Sequence, residues 1–145
     1  MRKEAVLVDA NVFYKGGKIN PEFEDYLKDK EIFTTQTVYS EILKDHTPKN
    51  LKLLIKKAGV PPIETLIMKV HDKYKKVFEN REKKHLGDLS LIIASIIYEM
   101  PIVSGDKILN GKGEELLDKY ASQIGLSSKE KIEFKNFVLE LVKKK

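Results

Sequence analysis

Short apolar runs that lead into a carboxylate constrain this chain more than any other feature. Ala5, Val6, Leu7 and Val8 run directly into Asp9, and Pro101, Ile102, Val103 and Ser104 run through Gly105 into Asp106. Asp88 opens the apolar stretch 89–97, and Glu41 lies near the start of a segment with helical spacing. A β-branched, apolar run without alternation reads as a strand buried on both faces, the kind found in parallel sheets covered by helices. A carboxylate at the C-terminal end of such a strand points into the crevice where open α/β sheets bind ligands. Several carboxylates converging there cannot all ionise without a compensating cation. The pattern implies a hard-metal site with oxygen ligands, for which phosphodiester chemistry is the commonest use.

Composition narrows the classes that remain. A chain of 145 residues forms one domain with a core that needs no staples. Cysteine is absent, which excludes disulfides, zinc–thiolate sites and cysteine nucleophiles. A run of only four apolar residues leads into Asp9, too short for the apolar part of a signal peptide, and no run is long enough to span a bilayer. The expectation is a soluble, cytoplasmic protein with no membrane partner. The formal net charge is +5, and its placement matters more than its size. Residues 69–85 hold seven Lys or Arg against three acids, and Lys143, Lys144 and Lys145 close the chain. Lysines on a helix are ordinarily a solvated face. A one-sided excess running into the segment before Asp88 also suits a polyanionic partner.

The chain reads as one domain over 1–145, a core over 1–125 followed by a C-terminal helix over 126–145. Strands are expected at 5–8, 32–34 and 102–104. Pro21, after a capping Asn20, starts a helix to about Lys28. Thr35 or Thr37 caps a second helix that carries Val38, Glu41, Ile42 and Leu43. Thr47 and Pro48 start a third, expected to bury Leu51, Leu54 and Ile55 and to stop at Gly59. A longer helix is expected from about Ile63 to Asn80, with Leu66, Ile67, Val70, Tyr74, Val77 and Phe78 in helical period. Gly87 reads as a break, which puts Asp88 in the first turn of the next helix. An acid there is also favoured by the helix dipole alone. A loop is expected at 111–113, then a helix from Glu114 to Ser122 ended by Gly125. Ser127 and Glu130 form a capping box for the last helix, with Phe134, Phe137, Val138 and Leu141 on one stripe. Strands alternating with helices imply an α/β sandwich around a parallel sheet.

These residues carry a resemblance. Val6, Leu7, Val8, Asp9 and Asn11 resemble the opening of PIN-domain nucleases. Thr37 to Glu41, the run from Gly87 and Asp88 to Ala94, and Ser104 with Asp106 are similar to that family's later motifs, in order. The similarity covers about the first three quarters of the chain. It implies a three-layer α/β/α sandwich around a short, mainly parallel sheet, with an extra C-terminal helix here. It also implies a metal-dependent endoribonuclease binding Mg²⁺ or Mn²⁺. Asp9 and Asp106 are then direct ligands, Asp88 a direct or water-mediated one, and Glu41 a ligand or a base that orients water. Asn11 and Ser104 hold the acids or touch the scissile phosphate, although a turn residue is the plainer role for Asn11. Arg81, Lys83, Lys84 and Lys107 are the candidates for RNA phosphates.

The chain departs from the family by continuing into helices where a further strand commonly closes the sheet, a short strand near Ile124 being the alternative. Asn110 stands where a supplementary acid sometimes lies. Both toxin-type members, with an antitoxin partner, and ribosomal-RNA-processing members, with ribosomal assembly partners, resemble parts of the chain. A haloacid-dehalogenase-like phosphatase needs a second Asp where Asn11 stands, and a receiver domain needs a mid-chain phospho-acceptor that is missing. The alternative to an enzyme is an inactive PIN-like module that binds RNA or protein. A homodimer through the Phe134, Phe137 and Leu141 stripe is the alternative to core packing. His46, His71 and His85 read as surface residues, Phe13 as core, and Tyr14 as a candidate for stacking on a base.

Overall fold

The computed structural model describes residues 4–9, 12–14, 18–19, 21–45, 54–55, 63–78, 84–104 and 111–143. In chain order these form β1 (Glu4–Val8), β2 (Phe13–Tyr14), β3 (Lys18–Ile19), α1 (Pro21–Leu27), β4 (Lys30–Thr34), α2 (Gln36–Asp45) and β5 (Leu54–Ile55). They continue as α3 (Ile63–Lys73), α4 (Lys75–Phe78), α5 (Lys84–Tyr98), β6 (Ile102–Val103), α6 (Glu115–Gln123) and α7 (Ser128–Lys143). The chain is a mixed α/β structure.

β1 is central for a reason visible in its side chains. Val6, Leu7 and Val8 are all buried, although successive strand residues face opposite sides, so the strand is covered on both faces. It pairs in parallel with β4 on one flank, Leu7 opposite Phe33, and with β6 on the other, Leu7 opposite Ile102. β5 extends the sheet in parallel beyond β4, giving the order β5-β4-β1-β6. The chain therefore moves outward from β1 through β4 to β5, then returns to the other side of β1. That reversal makes the C-terminal ends of β1 and β6 the topological switch point of the sheet. α5 packs on β1 and β6, and α2, α3 and α7 pack on α5.

Several elements differ from the sequence expectation. Leu54 and Ile55 form an edge strand and not part of a helix; the spacing of Leu51, Leu54 and Ile55 suits a helix, but pairing with Phe33 and Thr34 decides the outcome. The long helix expected over 63–80 breaks at Tyr74, whose ring stands edge-on to Phe134 and Phe137 of α7 at 5.1 and 6.1 Å between centroids. α5 begins at Lys84 and runs through Gly87, because Leu86 and Leu89 carry the apolar stripe across the glycine. Ile124 closes α6 and is not a strand. An antiparallel bridge from Ile102 to Gly111 stands beside β6 in its place, with the Ile102 N–H donating to the Gly111 carbonyl at 2.8 Å. Gly111 holds φ 143°, a conformation that strains any other residue, and a Cβ there would press on Leu116 Cδ2 at 3.1 Å. Asn20, Thr47, Pro48 and Gly59, read from sequence as a cap, a helix start and a helix stop, lie outside the described residues.

The C-terminal helices follow their sequence signals closely. Gly125, at φ 84°, donates to Ser122 O while Leu126 N–H donates to Ala121 O, both at 3.1 Å, the paired bonds of a Schellman ending. Ser127 N–H then donates to Glu130 Oε1 at 2.9 Å and Glu130 N–H to Ser127 Oγ at 3.3 Å, completing the capping box. The Ser127 backbone and side-chain bonds hold the Glu130 carboxyl below its ordinary value. Its support for α7 is therefore full above the ordinary glutamate range and is lost as pH falls through the lowered value. Ser127→Ala is expected to cost about 1 kcal/mol in urea unfolding at neutral pH, and Glu130→Gln to remove this group's share of the acid-side slope of stability.

Candidate functional site at the sheet switch point

Asp9 is the first residue beyond β1, and strand pairing carries it to the end of β6: its N–H donates to Val103 O at 3.2 Å. The next residue after Val103 is Ser104, whose Oγ–H donates to Asp9 Oδ2 at 3.1 Å. Ser104 is buried and Asp9 half-buried. A carboxylate and a hydroxyl separated by 95 positions in sequence are thus locked together at the switch point. Val12 N–H donates to Asp9 O at 3.1 Å and its side chain is fully buried. Val12 is therefore fixed to the end of β1, and β2, which pairs antiparallel with β3, follows it.

β4 brings two more hydroxyls to the same edge. Thr34 Oγ1 donates to Val8 O at 2.9 Å, one residue before Asp9. Thr35 caps α2, accepting from Val38 N–H at 3.2 Å, which settles the choice between Thr35 and Thr37. Thr35 Oγ1 also lies 2.7 Å from Ser90 Oγ on α5, and Ser90 in turn donates to Gly87 O at 2.6 Å. This chain of contacts ties the N-terminal part of α5, and with it Asp88, to the strand edge that carries Asp9.

Asp88 is 9 % exposed and is the fifth residue of α5. The helix dipole acts on acids within the first turn, and α5 has no acid there. A dipole alone therefore does not explain why a carboxyl group is buried at this position. Of the buried polar residues described, Thr34, Thr35, Asp88, Ser90 and Ser104 all belong to this region, and Ser95 does not. Ser95 Oγ donates to Met100 O at 2.6 Å and accepts from Gly113 N–H at 2.9 Å, fixing the far end of α5 to the turn before α6.

The donors in this region are carboxylate and hydroxyl oxygens. That chemistry suits a hard cation such as Mg²⁺ or Mn²⁺ and offers nothing to select a soft one. Among the described residues no three Asp, Glu or His side chains gather at one point. Two of the four expected acids bear on that statement. Glu41 stands on α2 with only its backbone described, and Asp106 lies outside the described residues, as do Asn11, Arg81, Lys83 and Lys107. Lys84 is the first residue of α5, its side chain outside the description. Of the basic segment before it, Lys69, Lys73, Lys75 and Lys76 are exposed, and Lys73 Nζ sits 5.1 Å over the Phe137 ring. His71 is half-buried on α3, not fully at the surface. The side chains of Phe13, Tyr14 and His85, and the whole of His46, lie outside the description.

Sequence reasoning missed Thr34, Thr35 as a bridge to α5, and Ser90. The residue types are visible in sequence, two threonines at the exit of a strand and a serine two places after an acid in a largely apolar helix, but their contact is not. Comparison of the chain with protein-family models, with curated proteins and with solved structures gives no match in any of the three. What is established is the class: a mixed α/β chain whose parallel sheet carries a buried polar region at its switch point. No helix among the described residues is long and apolar enough to cross a membrane.

Proposed function

We propose that the chain is a PIN-like, divalent-metal-dependent endoribonuclease built as a three-layer α/β/α sandwich. The observation that carries the reading is the Asp9–Ser104 hydrogen bond at the switch point, with Asp88 buried on a helix that Ser90 ties to Thr35 at the exit of β4. Open α/β sheets bind ligands at such points, and the four sequence motifs that supply Asp9, Glu41, Asp88 and Asp106 resemble those of one nuclease family. Mg²⁺ or Mn²⁺ bound there would supply a water of lowered pKa and offset the charge that builds on phosphate oxygens during hydrolysis.

The rest is the work of this chain's own residues. Asp9 accepts from Ser104 through Oδ2, a bond that helps to set the carboxylate's rotation. Asp88, Glu41 and Asp106 complete the donor set, Glu41 also serving to orient water. Arg81, Lys83, Lys84 and Lys107 contact RNA phosphates without reading bases. The test is incubation with single-stranded and structured RNAs in Mg²⁺ or Mn²⁺, with EDTA as the control. Internal cleavage that stops with EDTA and returns with added Mn²⁺ is the expected result. Cleavage indifferent to EDTA, or none across the panel, would overturn the reading.

A further inference from the structure

We propose that Thr35 and Ser90 are positioning residues that set the geometry of Asp88 through a directed hydrogen-bond relay between α2 and α5; this rests on the metal-dependent reading above. A hydroxyl has one proton to give and two lone pairs to accept with. Ser90 spends its proton on Gly87 O at 2.6 Å, so at the 2.7 Å contact between the two hydroxyls Thr35 must be the donor. Thr35 accepts in turn from Val38 N–H. The order is therefore fixed: Val38 N–H to Thr35, Thr35 to Ser90, Ser90 to the Gly87 carbonyl.

That carbonyl belongs to the peptide unit joining Gly87 to Asp88. The relay thus begins at the cap of the helix bearing Glu41 and ends on the backbone of Asp88. Both hydroxyls are buried, Thr35 4 % and Ser90 0 % exposed. Water is therefore not available to replace a lost partner: without Ser90 the Thr35 O–H loses its acceptor, and without Thr35 the Val38 N–H loses its cap while Ser90 keeps its bond to Gly87 O. Thr35 and Ser90 are 55 positions apart in sequence. Their bond adds a directed polar tie, beside the packing of α2 on α5, between the start of α2 and the turn of α5 that carries Asp88. Thr34, adjacent to Thr35, anchors the same stretch of chain to Val8 O.

The test titrates Mn²⁺ into wild type, Ser90→Ala, Thr35→Val and Thr35→Ser, reading the rise in melting temperature and, separately, RNA cleavage. Ser90→Ala is placed in a helix where alanine is favourable, so a folded protein is expected even if Thr35→Val is unstable. Ser90→Ala and Thr35→Val should each need on the order of 10-fold more Mn²⁺ for half of the thermal rise, the usual scale for partners that orient a metal ligand. The Mn²⁺ requirement for cleavage should move by the same factor, and kcat at saturating Mn²⁺ should change little. Thr35→Ser keeps the hydroxyl and should titrate as wild type does. A role confined to packing would lower the melting temperature without Mn²⁺ and leave every midpoint where it was, and that result overturns the relay while the nuclease reading stands. A wild type that neither gains stability with Mn²⁺ nor cleaves RNA removes the nuclease reading, and the relay's role falls with it.

Discussion

Asp9→Asn is expected to reduce Mn²⁺-dependent RNA cleavage to background while leaving the protein folded. The asparagine retains an oxygen that can accept the Ser104 hydroxyl now bound at 3.1 Å, and the backbone bond from residue 9 to Val103 O is untouched. What disappears is the negative charge at the switch point, which is the part a cation requires. Ser104→Ala separates orientation from charge. It keeps the carboxylate but removes the Ser104 bond that helps to orient it, and a loss of roughly 10–100-fold in metal affinity or activity is the ordinary effect of removing such a partner. Circular dichroism and a melt without metal, run beside the cleavage assay, distinguish these losses from unfolding. If Asp9 served only the fold, Asp9→Asn would lower the melting temperature in EDTA and cleavage would fall no further than the folded fraction.

The same pair of residues shows what the sequence could and could not announce. Val6, Leu7 and Val8 form a buried parallel strand because nothing in the run alternates, and that reading places Asp9 at a strand end without any structure. Ser104 could be read likewise from Ile102 and Val103. That the two strands are neighbours, with Asp9 and Ser104 in contact, depends on strand order, which no local pattern encodes. The capping box at Ser127 and Glu130 and the Gly125 ending were legible because every bond in them joins residues at most five apart. β5 was not. Leu51, Leu54 and Ile55 have helical spacing, and a two-residue edge strand shows no period of its own. Gly87 misled for a related reason: glycine reads as punctuation, yet the helix passes through it because both neighbouring turns bury leucine. The Thr35–Ser90 contact was beyond reach, since it exists only once α2 has docked on α5.

Phe134→Ala should be among the most damaging substitutions outside the site. Its ring is fully buried and meets Tyr74 edge-on at 5.1 Å and Tyr120 at 6.2 Å, so one side chain joins α7 to α6 and to the turn that separates α3 from α4. Truncating a buried phenylalanine costs roughly 3–5 kcal/mol, because the cavity left behind closes only in part. For a chain of this size that is a fall on the order of 10 °C in melting temperature. Ile132, on the same helix but 64 % exposed, is the control, and Ile132→Ala should stay within about 0.5 kcal/mol of wild type. These two substitutions also decide what the apolar stripe of α7 is for. A stripe reserved for a second copy of the chain would make the Phe134→Ala effect depend on protein concentration, since association stabilises by mass action. Burial of Phe134 and Val138 within one chain predicts the opposite, a melting temperature lowered equally at dilute and concentrated protein. The Mn²⁺ increment should survive in Phe134→Ala, because it is set by free ion and affinity at the switch point and not by how stable the rest of the fold is.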